Sequence, residues 1–329
     1  MSSLAPTLEA FFTERLLRQR QASPNTVASY RDAFRLLLGF VYRETGKAPS
    51  RLDLSDLDAP TIGAFLEHLE QERNSSVSTR NNRLAAIHSF FRFSALRHPE
   101  HAGLIQRVLA IPAKRTQRAI IAYLTEPEVD ALLAAPDRST WAGRRDHALL
   151  LTAIQTGLRV SELTKLTCGE VELGSGAHVR TVGKGRKERI TPLTSQTVAV
   201  LRVWMRERRG QPADPLFPTR TGGRLSRDAV ERRLAKHTGL ARRRCPTLRG
   251  KQISAHVLRH TAAMRLLRAG IDTATMALWL GHEEERTTRI YLHADPELKE
   301  RALARTAPLN TTPGRYRAPD TLIAFLEEL

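Results

Sequence analysis

Acidic residues are the minority charge in this chain. Asp and Glu number 34 against 52 Lys and Arg, for a formal net charge of +18 over 329 residues. That balance disfavours cationic partners and points to a polyanion, nucleic acid being the usual one. Cysteine is nearly absent. Cys168 and Cys245 are the two present, which excludes a disulfide framework or a CxxC metal site and fits a reducing, cytoplasmic compartment. No apolar run is long enough to span a membrane. The N-terminal stretch lacks a basic segment followed by an apolar one, so no signal peptide is expected. No GxxxxGK[ST] loop occurs, so no nucleotide and no other cofactor is implied.

What is present is ordinary globular material, 41% hydrophobic, long enough for two domains with cores of their own. The basic excess is clustered, notably from Arg202 to Lys251, and Arg outnumbers Lys, which suits bidentate phosphate contacts. The pattern over residues 1–110 is helical. Thr7 reads as a cap for Leu8, Phe11, Phe12 and Leu16. Ser23-Pro24 opens a helix carrying Val27, Tyr30, Phe34, Leu37, Leu38 and Val41. Pro60 opens a third helix, and Ser76 or Ser78 a fourth with Leu84, Ile87, Phe90 and Phe91 inward. Four amphipathic helices make a small all-α domain. On the fourth, Arg80 to Arg83 suit phosphate or base-edge contacts, or simply a solvated face.

Periodicity breaks between His98 and Leu124, and the basic, proline-marked stretch 111–123 reads as a linker. A second domain, 124–305, opens with a capping box, Thr125 with Glu128. An apolar helix from Asp146 ends at Gly157, a left-handed cap. From Glu170 to Leu193 the period changes to that of about three short antiparallel strands. Helices resume over Ser195–Arg209, Ser226–Thr238, Ala255–Ala269 and Thr273–Leu280, with a short turn near Tyr291. Residues 306–329 form a tail ending in an amphipathic DTLIAFLEEL. The fold class is therefore mainly α with a small antiparallel sheet.

The chemistry-bearing residues gather late in the chain. Arg159 lies among Leu158, Val160 and Leu163, so its guanidinium is partly buried and needs a partner, which Glu162 supplies. His256 and Arg259 stand three apart on one helix and share a face. His256 and His260, with His282, also have the spacing of metal ligands. Val257 stands where metalloproteases carry Glu, however, and the neighbouring cations would repel a dication. Tyr291 has a phenol of ordinary pKa about 10, a poor nucleophile unless cations stabilise the phenolate.

Together, Thr156-Gly157-Leu158-Arg159, Gly183-Lys184-Gly185, His256-Val257-Leu258-Arg259-His260, Leu280-Gly281-His282 and Tyr291 resemble the tyrosine recombinases, the phage-integrase family. The resemblance is closest to the Xer and transposon-encoded members and runs from about Thr7 to Leu303. It implies a SAM-like core-binding domain ahead of an α+β catalytic domain. It also implies site-specific cleavage and rejoining of double-stranded DNA through a 3′-phosphotyrosine, with no metal, in a synaptic homo-tetramer at the prokaryotic nucleoid. By the resemblance Arg159 and Arg259 clamp the scissile phosphate. Lys184, with Lys187 as a substitute, protonates the leaving 5′ oxygen. His256 acts as acid/base toward the tyrosine, His282 hydrogen-bonds a non-bridging oxygen, and Tyr291 attacks. The tail's apolar face, Leu322, Ile323, Phe325, Leu326 and Leu329, would dock on a neighbouring protomer. A mobile element is the expected host. Two other readings remain: a type IB topoisomerase working as a monomer, and a non-catalytic DNA-binding relative.

Overall fold

The computed structural model describes residues 3–116, 121–183, 188–281 and 288–293. Lys184, Lys187, His282 and the tail 306–329 lie outside the described residues. The chain divides into two compact units, Met1–Ala119 and Ile120–Leu329.

The first unit is all helical. Helix α1 (Leu4–Ala10) runs on into π-type turns over Phe11–Gln19. It is followed by α2 (Pro24–Thr45), α3 (Ala59–Gln71), α4 (Val77–Ala95) and α5 (Ala102–Leu109). Ser23, Asp58 and Ser76 each accept a backbone N–H in the first turn of the helix they cap, satisfying one orphan donor apiece. Thr7 is not a cap. It is buried inside α1, and its hydroxyl lies 2.9 Å from His98 Nε2. Helix α5 falls in the stretch expected to break the periodicity: Ile105 and Val108 are buried, and Leu104 and Leu109 pack partly buried against the same core. Segment 112–114 is tied to α4. Arg80 Nη1 donates to the Pro112 carbonyl at 3.0 Å, and Asn81 exchanges bonds with Lys114 at 2.8 and 3.1 Å. Arg80 is therefore buried and engaged internally rather than offered to a phosphate.

The second unit begins with α6 (Glu126–Leu133), whose Thr125–Glu128 box forms with a 2.8 Å bond. Next come α7 (Trp141–Thr156) and α8 (Val160–Lys165). Strands β1 (Val171–Glu172), β2 (His178–Val182) and β3 (Glu188–Pro192) form an antiparallel sheet in that order. Val179 pairs with both Val171 and Thr191. Helices α9 (Ser195–Arg208), α10 (Arg227–Arg244), α11 (Ala255–Arg268) and α12 (Thr273–Leu280) follow, then a 3₁₀ turn over Arg289–His293. Helix α10 outruns its expected end at Thr238 because Ala241 continues its buried face. The main core of this unit joins α7, α9, α10 and the sheet through Leu150, Ile154, Val179, Leu201, Trp204 and Leu234. A smaller cluster gathers Ala263, Met264, Leu267, Met276, Leu280 and Tyr291.

Candidate active site

Three chain segments meet at the C-terminal end of α7. Gly157 closes that helix with φ +66°, and a Cβ there would lie 2.7 Å from Leu280 Cδ2 and 3.1 Å from Ala262 Cβ. Only glycine meets both the left-handed backbone and the close approach. The chain then turns straight into Arg159, the residue before α8. Glu162 reaches back to it: Oε2 accepts from Arg159 N at 2.8 Å, and Oε1 accepts from Arg159 Nη1 at 2.9 Å. Arg159 Nη2 donates to the Gly281 carbonyl at 2.9 Å. The guanidinium is thus held at both ends, yet its side chain is 34% exposed, enough to meet a ligand.

Helix α11 supplies the next residues. Arg259 is 3% exposed. Its Nη1 donates to the Gly157 carbonyl at 2.7 Å and its Nη2 to the Leu280 carbonyl at 2.6 Å. Both acceptors are neutral, so they orient the fork without cancelling its charge. Burial, reinforced by the Arg159 charge, lowers its pKa to about 10, with Glu162 opposing, so it remains protonated at neutral pH. His256 is exposed on the same helix. Partial desolvation and then the charges of Arg259, Arg159 and Arg227 hold its pKa below the ordinary value.

Tyr291 stands on the 3₁₀ turn and is 2% exposed. Its hydroxyl lies 3.0 Å from His260 Nδ1, and the His260 ring lies 4.3 Å, edge to face, from that of His256. Burial pushes the phenol pKa up, while Arg259 and Arg159 pull it down. Burial, with His256 and Arg259 nearby, lowers His260 to about 4. His260 is therefore neutral near pH 7, with one ring nitrogen free of a proton.

The structure thus gathers Arg159, Arg259, His256 and Tyr291 into one neighbourhood. Lys184 and His282 lie outside the described residues. Two members escape the sequence reading. His260 enters it as a possible metal ligand and as the last residue of the His256–His260 motif, with no role at the tyrosine, although a second His following Arg259 on the face of His256 is the available signal. Arg189 enters it only as a strand residue. In β3 the alternation turns Arg189 to the side of buried Thr191 and leaves Ile190 exposed. A charge on the inward face was the clue. Among the described residues no group of three or more His, Cys, Asp or Glu side chains could hold a metal ion.

Two family models match the chain: the phage integrase family over residues 122–297, and the phage integrase N-terminal SAM-like domain over residues 10–98. A Sinorhizobium fredii protein named as an integrase/recombinase, y4rC, is 56% identical over 328 residues, covering 100% of this chain and 99% of its own length. The tyrosine recombinase XerC of Pelobacter propionicus is 34% identical, covering 95% of this chain and 99% of its own. Among solved structures, the XerH site-specific recombinase bound to its palindromic difH substrate aligns with TM-score 0.69 at 22% identity, covering 87% of this chain and 81% of that one. The Tn1549 transposon integrase in complex with a circular intermediate DNA aligns with TM-score 0.69 at 15% identity, covering 93% and 100%. At those identities the structural likeness is one of fold.

Proposed function

Because this chain belongs to the phage integrase family, we propose that it is a site-specific recombinase of a mobile element that cleaves and rejoins duplex DNA, with Tyr291 as nucleophile. The observation that carries this is the Tyr291 phenol, 3.0 Å from a neutral histidine and within the electrostatic field of Arg259 and Arg159. Phosphodiester cleavage is slow without help because a nucleophile must approach an anion and a still more charged phosphorane must form. Fixed guanidiniums at that place favour the transition state over the ground state.

The balanced step is a transesterification. Tyr291 Oη attacks phosphorus and gives its proton to the His260–His256 pair. The bond from phosphorus to the 5′ oxygen breaks, and that oxygen takes a proton from Lys184. Arg159 and Arg259 bind the non-bridging oxygens, with His282 as a further donor. The product is a 3′-phosphotyrosine and a free 5′ hydroxyl. Its ester bond keeps the energy of the original phosphodiester, so rejoining needs no nucleotide. Two recombining duplexes contain four scissile phosphates and each chain has one such tyrosine, so a homo-tetramer on DNA is the working assembly. A chain of net charge +18, with no described helix long and apolar enough to cross a membrane, fits work at a bacterial nucleoid.

The test is a nicked duplex carrying the ends of the encoding element. The unaltered protein should form a denaturation-resistant adduct. Tyr291→Phe should abolish it and bind DNA as before, and an adduct that persists in that variant removes Tyr291 from its role. Relaxation of a plasmid lacking paired element ends, at the same rate as one carrying them, would favour a topoisomerase instead.

A further inference from the structure

Arg189 belongs to none of the roles above, yet it is bound into the same network. Its side chain is 8% exposed. Nη2 donates to Glu162 Oε2 at 2.9 Å and Nη1 to the Leu280 carbonyl at 2.5 Å. Each acceptor is shared. Glu162 also holds Arg159, through backbone and guanidinium, and the Leu280 carbonyl also takes Arg259 Nη2. Arg189 therefore touches the anchor of each clamp arginine while bonding to neither. Its own support is close-fitting. Gly281, at φ +64°, would bring a Cβ to 2.2 Å from Arg189 Nη1, so a bulkier residue there would push the fork away.

The charge count argues against a merely structural role. Three guanidiniums lie around one carboxylate, a formal excess of two positive charges. Burying a third cation beside two others is costly, and an apolar side chain of similar volume would fill the space more cheaply. Arg189 Nε has no hydrogen-bond partner among the described residues. Such an excess is useful where an anion arrives. Arg189 also lies on β3, next to Glu188, which pairs with Val182 of β2.

We propose that Arg189 is a positioning residue for DNA cleavage, locking Arg159 through Glu162 and Arg259 through the Leu280 carbonyl into one rigid phosphate clamp. This rests on the functional reading above. A guanidinium fork reaches both acceptors at once, whereas an ammonium is a single point of contact. Misalignment of a clamp by about 1 Å costs on the order of 100-fold in rate.

The experiment measures single-turnover adduct formation on the nicked duplex, DNA affinity by anisotropy and the thermal midpoint, for the unaltered protein, Arg189→Gln, Arg189→Lys, Glu162→Gln and the double variant Glu162→Gln/Arg189→Gln. Expected is a fall of roughly 10- to 100-fold in cleavage rate for Arg189→Gln and a smaller one for Arg189→Lys. DNA affinity should stay within about twofold. The double variant should be no slower than the slower single one, because both losses run through the same contact. A wild-type rate in Arg189→Gln, losses that multiply in the double variant, or a fall in affinity and thermal midpoint that accounts for the slower cleavage overturns the proposal. If Arg189→Gln does not fold, Arg189→Lys decides on the same measurements, and failure of both to fold assigns the residue to stability alone. If the unaltered protein forms no adduct, the functional reading falls and this inference with it.

Discussion

The two units of this chain differ in what they bury besides aliphatic side chains. The first is built on aromatic packing. Eight of the ten phenylalanines precede residue 110: Phe11, Phe12, Phe34, Phe40, Phe65, Phe90, Phe91 and Phe93. Phe11, Phe34 and Phe90 meet one another edge to face at centroid distances of 5.2–6.2 Å, an arrangement favoured by ring quadrupoles. The second unit buries charge. Asp146 accepts from Arg145 and lies 2.9 Å from His237 Nε2. Glu128 accepts from Lys251 at 2.6 Å and from the Thr247 hydroxyl at 2.8 Å. Glu162 and Arg259 lie at the candidate site. Buried ion pairs contribute little net stability, since desolvation offsets attraction. What they do supply is direction, because a hydrogen-bonded charge has few alternative positions. The first unit is held by packing that tolerates exchange, and the second accepts electrostatic cost to fix where its cations point.

Three substitutions test that contrast. Phe90→Ala, at a fully buried ring, should cost about 3–5 kcal/mol through lost contacts and a residual cavity. Trp141, Trp204 and Trp279 all lie in the second unit. The variant should therefore lower the midpoint of the helical circular-dichroism signal that tryptophan fluorescence does not follow, and leave the fluorescence midpoint near its wild-type value. A shift of equal size in both would show that the units do not differ as described. Arg259→Ala should slow adduct formation by about 10²–10³-fold, the scale for losing one transition-state donor, while shifting the tryptophan transition far less than Phe90→Ala shifts its own. Equal damage to stability would mean that the arginine serves the fold first.

The smallest effect is one of pH. His260 titrates near 4 in the folded protein against an ordinary 6.5. Between those values the unfolded chain binds a proton that the folded one refuses, so stability is full above about pH 6.5 and falls as pH drops toward 4. Allowing for partial solvent screening, the loss is on the order of 1–3 kcal/mol. The stability of the unaltered protein relative to His260→Asn should therefore be greater at pH 7 than at pH 4.5 by that amount. A difference independent of pH would mean that His260 is not desolvated at Tyr291.

Much of this was legible because it is local. Ser23-Pro24, the Thr125–Glu128 box and the stop at Gly157 are signals within a few residues, and each forms as its residues dictate. Arg159 with Glu162, and His256 with Arg259, lie within one helical turn of each other, so spacing alone makes them neighbours. The failures share a cause. Thr7 could cap a helix in isolation, but burial of Leu4 starts α1 earlier and gives its hydroxyl to His98. Arg80 reads as a surface cation until segment 112–114 covers it. Arg189 and Ile190 are inverted relative to a simple apolar-inward strand because the inward side of β3 faces Glu162 and the Leu280 carbonyl. No local pattern announces that.

The amino-acid sequence by itself determined the helical order, the caps, the cationic character of the chain and which residue types were available for chemistry at a phosphate. Tertiary structure alone decided that His260 is the ring against the Tyr291 phenol and that Arg189 reaches the anchors of both Arg159 and Arg259. Those contacts join residues 31, 27 and 91 positions apart. Propensity acts over a few residues, whereas the partner of a buried donor is chosen by whichever acceptor the packed chain brings within 3 Å.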